Sequence, residues 1–264
     1  MERKQDRFDL SGKVALVTAA AGGFGMAVSR GLAEYGADLA ITDIREDAVN
    51  KVAEDIRGSG SRVIAARCDI KSAEDIQAIA TRTVAEFGHI DILVNIAGYA
   101  AMNPVLDMTC DEFDLTVAST LRGAFLISQI VGRIMVGGGR GGSIIHMSSI
   151  ASARALGRGT GVYAANKAGI NALVRELAVE LAPHKIRVNA IAPCQFKTLG
   201  FDAVLDNPKF GGREKVTQKM LSKLPVGRFG EPEEIIGPCL FLASDAASMV
   251  TGHVLFVDGG YMAM

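Results

Sequence analysis

Short runs of β-branched and apolar residues alternate along the chain with longer segments whose apolar positions recur at helical spacing. Lys13–Thr18 (KVALVT) predicts a buried strand and Phe24–Tyr35 the helix that follows it. Asp38–Thr42, Arg62–Ala66, Ile90–Asn95, Ser143–Met147, Ile186–Ile191 and His253–Val257 predict six further strands. Helical patterns fall at Arg45–Arg57, Ser72–Phe87, Cys110–Met135, Gly161–Leu181 and Glu231–Ala243. The strands are apolar without alternation, so both faces are buried, which is the mark of a parallel sheet covered by helices. The prediction is an α/β fold: one doubly wound parallel sheet of about seven strands with helices on both faces, in a single domain over residues 1–264. Ligands of such a sheet bind beyond the carboxyl ends of its strands. No internal repeat and no Pro/Ser-rich linker divides the chain.

Two stretches interrupt the alternation. Val136–Gly142 (VGGGRGG) is rich in glycine but lies between a helix and a strand. A phosphate cradle needs the reverse order, because helix N-terminal amides must face the anion. It reads as a helix-to-strand turn. Cys194–Leu224 is polar and irregular, with a short helix near its end, and a loop that long in a compact domain is expected to be a functional lid.

Composition narrows the class. Apolar residues make up 49% of the 264, which supports a large core and excludes a disordered chain. Lys and Arg number 28 against 29 Asp and Glu, so the basic footprint of a nucleic-acid binder is missing. No apolar run approaches the ~20 residues of a membrane span, and the charged opening is unlike a signal peptide. Cysteines 68, 110, 194 and 239 form no CxxC pair, and histidines 89, 146, 184 and 253 show no ligand spacing. The expectation is a cytoplasmic protein without metal, nucleic-acid or membrane partners.

After the first strand the chain reads Thr18-Ala19-Ala20-Ala21-Gly22-Gly23-Phe24-Gly25 and enters a helix. Small residues let backbone approach a pyrophosphate, which the helix N-terminus stabilises. Asp43 closes the second strand, 18 residues beyond Gly25. There it accepts hydrogen bonds from ribose hydroxyls and repels a 2′-phosphate, or else it N-caps the next helix. Asp69 after the third strand, followed by Ile70, reaches adenine or caps its own helix. Turn and acid together point to a dinucleotide site of the Rossmann type.

These motifs resemble the short-chain dehydrogenase/reductase family essentially from end to end. The family's TGxxxGxG turn corresponds to Thr18–Gly25, with Ala19 for its first glycine. Its NNAG corresponds to Asn95-Ile96-Ala97-Gly98, and its serine and YxxxK to Ser149 and Tyr163–Lys167. Its PG…T segment corresponds to Pro193–Thr198, with Cys194 for the glycine. The resemblance implies a cofactor-binding set of Thr18, Gly22, Gly23, Phe24, Gly25, Asp43, Asp69, Ile70, Asn95, Ala97, Gly98, Tyr163, Lys167, Pro193 and Thr198. It also implies hydride transfer between a nicotinamide cofactor and a secondary alcohol or ketone. Tyr163 becomes the proton-transferring residue, Lys167 the residue that holds the ribose and lowers the phenol pKa, and Ser149 the one that orients the substrate oxygen. Tyr163 and Lys167, at i and i+4, share one helix face independently of the resemblance. Thr120 departs from the pattern: the family carries there an asparagine that serves a proton relay, and a threonine hydroxyl has less reach.

Asp43 and the neutral Ala20 and Ala21 favour NAD over NADP, with Arg45 close enough to qualify the preference. Arg154 and Arg158, between Ser149 and Tyr163, are candidates to pair with a substrate carboxylate, or are simply solvated. The piece Leu156-Gly157-Arg158 and the terminal strand resemble gluconate 5-dehydrogenase-like members, which implies a sugar acid or polyol. Alternatives are reduction of a 3-oxoacyl thioester and a weakly catalytic dinucleotide sensor. The family's habit implies a homotetramer built on the two long helices and the last strand.

Overall fold

The computed structural model describes residues 6–157, 159–199, 201–206 and 211–264. It contains β1 (Val14–Val17), α1 (Gly23–Glu34), β2 (Asp38–Asp43), α2 (Glu46–Gly58), β3 (Val63–Arg67), α3 (Ala73–Phe87) and β4 (Ile92–Asn95). There follow α4 (Cys110–Val117), α5 (Gly123–Gly138), β5 (Gly142–Met147), α6 (Gly161–Leu181), β6 (Ile186–Pro193), α7 (Phe201–Leu205), α8 (Arg213–Leu221), α9 (Ile236–Ala243) and β7 (Val254–Val257). The seven strands form one parallel sheet in the order β3-β2-β1-β4-β5-β6-β7.

Side-chain alternation along the strands builds two cores. Ala15, Val17, Leu39, Ile41, Ile92 and Val94 face α1, α2 and α9, while Leu16, Ala40, Leu93 and Ile144 face α3, α5 and α6. Burial on both faces explains why these strands read as unbroken apolar runs. A third, smaller core gathers Ile150, Val216, Met220, Leu224, Phe229 and Tyr261, tying α8 to the loop after β5 and to the C-terminus. The chain leaves β1 for β2 on one side and reaches β4 on the other. The carboxyl ends of β1 and β4 therefore flank the switch point where such sheets bind ligands.

Local chemistry sets the boundaries. Ser72 caps α3 through the Asp75 amide, and Gly88 ends it in the left-handed region. Thr109 and Glu112 form a reciprocal capping box at α4. Gly139, with φ of 65°, ends α5 three residues before β5, so the glycine-rich stretch is a helix-to-strand turn. The segment 194–224 carries the expected helix near its end, α8, and a second, shorter one, α7.

Two helices differ from the sequence pattern. Cys110–Met135 is not one helix: a π turn, Ala118–Arg122, separates α4 from α5. At its centre Thr120 donates its hydroxyl to the Tyr99 carbonyl, off the helix, 3.0 Å away. The Glu231–Ala243 helix opens as a 3₁₀ turn, Pro232–Ile235, because Pro238 has no N–H to give to the Glu234 carbonyl. Continuity through the π turn also makes Cys110–Gly138, 29 residues, long and apolar enough to cross a membrane, which short apolar runs alone did not suggest. Over half of its most apolar window is buried in the fold, where α4 and α5 pack against α3 and α6 as core helices do.

Candidate active site

The glycine turn is held from below by a buried hydrogen-bonded chain. Thr18 donates its hydroxyl to the Asn95 side-chain oxygen at 2.8 Å and accepts from the Ile96 and Ala97 amides at 3.0 and 3.1 Å. The Asn95 amide meets His146 Nδ1 at 3.3 Å, and His146 Nε2 meets the Ser128 hydroxyl at 2.9 Å. Ser128 gives its proton to the Ala124 carbonyl, so it accepts from Nε2 and His146 is the neutral Nε2–H tautomer. Burial, with a smaller contribution from the Lys167 charge, pushes this imidazole down to about 4. Sequence reasoning missed His146 and Ser128. Their only signal was a polar pair in otherwise apolar elements.

Above this chain the backbone is drawn tight. Ala19 adopts φ of 53°, a left-handed conformation costing a non-glycine residue ~1 kcal/mol. A Cβ on Gly25 would lie 2.1 Å from the Ala19 carbonyl oxygen. Helix α1 starts from Gly22 with no side-chain cap and no acid in its first turn. Its first amides are thus open to an anion.

Two cavities lie beyond the strand ends. One of about 400 Å³ is lined by Thr18, Asp43, Asp69, Ile70, Ala97 and Gly98, among others. The other, about 230 Å³, is lined by Phe24, Ser149, Tyr163, Pro193 and Thr198 together with apolar side chains that include Met102, Leu156, Phe201 and Met220. The sequence did not single out Met102, Phe201 or Met220, since loop and lid residues follow no period. Segment 194–224 supplies much of this second wall. The uncapped helix start, the turn that excludes a Cβ and the cavity beside Asp43 and Asp69 fit a dinucleotide.

Most of the expected site residues converge here, in different ways. Asn95 lines neither cavity and is joined to the first of them by its hydrogen bond with Thr18. Asp43 does not cap α2. It accepts from the Ala21 amide at 3.1 Å and from the Arg45 amide at 3.0 Å. Asp69 does not cap α3 either, a place taken by Ser72; it accepts from the Lys71 amide at 3.0 Å.

Helix α6 carries Tyr163 and Lys167 on one face, with Lys167 Nζ 5.6 Å from the phenol ring centroid. Lys167 is buried, donates to the Met147 carbonyl at 2.5 Å, and is pushed down to about 8 by desolvation. Burial raises the Tyr163 phenol above its ordinary value, opposed by its hydrogen bond with Ser149. The phenol is therefore raised by burial, and the lowering expected from Lys167 is not found.

One candidate substrate residue lies elsewhere. The 3₁₀ turn Ile150–Ser152 carries Arg154 away from the Tyr163 cavity. Its guanidinium donates to the Met264 carbonyl and lines a separate cavity with Lys223 and Tyr261. Arg158 lies outside the described residues. Thr120 lines neither of the two cavities at the strand ends, and its buried hydroxyl is committed to Tyr99.

Comparison with known proteins agrees with this geometry. Residues 19–262 match the family described as enoyl-(acyl carrier protein) reductase. The chain is 41% identical to an NAD-dependent glycerol dehydrogenase of Listeria innocua, over 96% of this chain and 95% of that protein. It is 40% identical to a D-threitol dehydrogenase of Mycolicibacterium smegmatis, over 96% and 94%. A gluconate 5-dehydrogenase from Burkholderia cenocepacia, solved with NADP and tartrate, superimposes with a TM-score of 0.90 at 33% identity, covering 98% of each chain. The chain belongs to the short-chain dehydrogenase/reductase family. It is a nicotinamide-dependent oxidoreductase acting between secondary alcohols and ketones.

Proposed function

We propose that the protein oxidises a neutral polyol, or reduces the corresponding ketone, with NAD preferred over NADP. The observation that carries the substrate class is the lining of the Tyr163 cavity. Among the described residues it combines hydroxyl and amide side chains (Ser149, Thr160, Gln195, Thr198) with apolar ones and holds no charged group. Hydroxyls of a polyol find partners there, whereas a carboxylate does not find the Arg154 guanidinium, which is turned to the C-terminus. Of the two classes that the family resemblance implies, the described lining supports the polyol.

In this reading the bound nicotinamide supplies or takes up the hydride. Tyr163 donates its phenolic proton to the ketone oxygen during reduction and removes the alcohol proton during oxidation. Ser149 orients that oxygen. Lys167, anchored on the Met147 carbonyl, holds the nicotinamide ribose and keeps positive charge beside the phenol. Thr120 acts as a positioning residue that fixes the Gly98–Tyr99 backbone from inside the π turn. Thr18, the α1 amides and the loop from Asn95 to Gly98 hold the phosphates and ribose, and Asp43 and Asp69 the adenosine. The segment 194–224 forms the lid.

The test is a matrix of NAD+ and NADP+ against polyols, sugar acids and 3-hydroxyacyl thioesters. The highest kcat/KM is expected for a polyol with NAD+. A thioester or sugar acid in first place would refute the substrate class, and NADPH binding more tightly than NADH would refute the cofactor preference. Turnover of none of them, with NADH bound, would favour the sensor.

The proposal extends to a cytoplasmic homotetramer. Phe113 and Phe125 on α4 and α5, and Val179 on α6, leave large apolar surface exposed, and all of β7 is only half-buried. Light scattering at micromolar concentration should give four times the 27.8 kDa chain mass; a monomer would refute it.

A further inference from the structure

Two residues stand in the walls of two cavities at once. Among the described residues, Cys194 and Phe196 line both the 230 Å³ cavity of Tyr163 and a neighbouring one of about 170 Å³. Both are buried, and both lie in the stretch that leaves the end of β6. They form the partition between the two spaces.

Half of this partition is immovable. The Phe196 ring meets the Phe24 ring edge-on, with centroids 5.2 Å apart. It also fills the place that a side chain at residue 230 would need, since a Cβ on Gly230 would lie 2.7 Å from its Cδ1 and Cε1. The backbone is tied there as well: the Lys197 amide donates to the Gly230 carbonyl at 2.9 Å, and the Gly230 amide to the Gln195 carbonyl at 3.1 Å. Cys194 is the thinner half. Its amide donates to the Val257 carbonyl at 3.2 Å, which fixes its main chain beside β7. Its side chain belongs to the third core with Met220, on the wall of the first cavity, and Leu224, on the wall of the second. The Cβ and Sγ of Cys194 are what this chain adds to the partition.

The second cavity carries charge where the first carries none. Its wall includes Asp258, Arg228 and Glu234. Arg228 and Glu234 neutralise each other through a two-bond fork at 2.6 and 2.7 Å. Asp258 accepts the Gly260 amide on Oδ1 at 3.1 Å and the Met262 amide on Oδ2 at 2.8 Å, which leaves acceptor capacity on each oxygen. Such a wall suits hydroxyl groups.

We infer that Cys194 is a specificity-determining residue: its side chain closes the Tyr163 cavity against a second, hydroxyl-accepting cavity and so limits the length of polyol that is turned over. The inference rests on the proposed polyol chemistry at Tyr163. The nicotinamide ring and the reacting carbon share the first cavity in that reading, so the far carbons of a long polyol meet the partition. Glycine at this position joins the two spaces and gives the far hydroxyls partners.

The experiment measures kcat/KM with NAD+ for glycerol, a tetritol, a pentitol and a hexitol in wild type, Cys194→Gly and Cys194→Ser. A misfit of one or two carbons is worth about 10-fold or more in kcat/KM, so the wild type should prefer the tetritol to the hexitol by about that factor. Cys194→Gly should raise the hexitol-to-tetritol ratio by about 10-fold while NADH binding, followed by fluorescence, stays unchanged. Cys194→Ser keeps the size of the side chain and should keep the wild-type ratio. Cys194→Ala removes the sulfur alone and gives the same readout at smaller amplitude if the glycine variant does not fold. An unchanged ratio in an active glycine or alanine variant would overturn the inference and leave the polyol reading standing. A serine variant that shifts the ratio as far as glycine does, or a wild type that prefers the hexitol, would do the same. Wild-type protein that turns over no polyol of any length would overturn the polyol reading and the inference with it.

Discussion

Tyr163→Phe is expected to lower kcat by roughly 10²–10⁴-fold while leaving the NADH dissociation constant almost unchanged. The substitution keeps the ring, which lies 5.6 Å from Lys167 Nζ in the wall of the 230 Å³ cavity, and removes only the transferable proton. Steady-state turnover and NADH fluorescence on the same sample separate the two effects. Direction of reaction adds a second readout. Burial raises the phenol, so it stays protonated through neutral pH. The protonated form is the one that gives a proton to a ketone oxygen, whereas alcohol oxidation requires phenolate. Oxidation should therefore accelerate as pH rises and reduction should favour the lower range, and the phenylalanine variant should lose both dependences. Wild-type turnover in that variant would remove Tyr163 from the mechanism.

The parts of this protein that the sequence made legible are those governed by short-range rules. Unbroken apolar runs such as Ile92–Asn95 exist because both sheet faces are buried, so the strands and their parallel arrangement could be read directly. The glycine turn was legible because Gly25 can be no other residue where the helix start meets Ala19. Tyr163 and Lys167 were legible because four residues are one helical turn.

What escaped prediction depends on long-range geometry. At the π turn Thr120 meets a carbonyl 21 residues earlier in the chain, a contact that no periodicity encodes. Arg154 lies between Ser149 and Tyr163 in sequence, yet its partner is the C-terminal residue, 110 positions away. Asp43 was assigned a role from its place in the fold, but the share of its carboxylate taken by Arg45 is visible only in side-chain directions. Ala19 shows the converse: it stands where the family has a glycine, and its backbone remains in the conformation that favours glycine. The same tightness makes the turn vulnerable at the third residue of the helix.

Gly25→Ala should destabilise the fold by about 2–3 kcal/mol and weaken NADH binding by more than about 10-fold, judged by urea unfolding and nucleotide fluorescence. An added Cβ would stand 2.1 Å from the Ala19 oxygen and 2.6 Å from Ala20 Cα. Both are backbone atoms, so no rotamer change relieves the clash. Ala19 is already left-handed, and Ala20 and Ala21 are tied to the Thr42 carbonyl and to Asp43 at 2.8 and 3.1 Å. The turn cannot retreat without breaking those bonds, so the start of α1 must move outward. That movement would withdraw the uncapped amides from the anion they are proposed to hold, which links the loss of binding to the loss of stability. Gly58→Ala, at the exposed end of α2 where a new Cβ meets nothing within 4 Å, is the control. It should leave NADH binding unchanged and stability equal or higher, since alanine is the better helix former. Equal behaviour of the two variants would show that the turn tolerates a side chain, and would remove the steric basis for placing the pyrophosphate there.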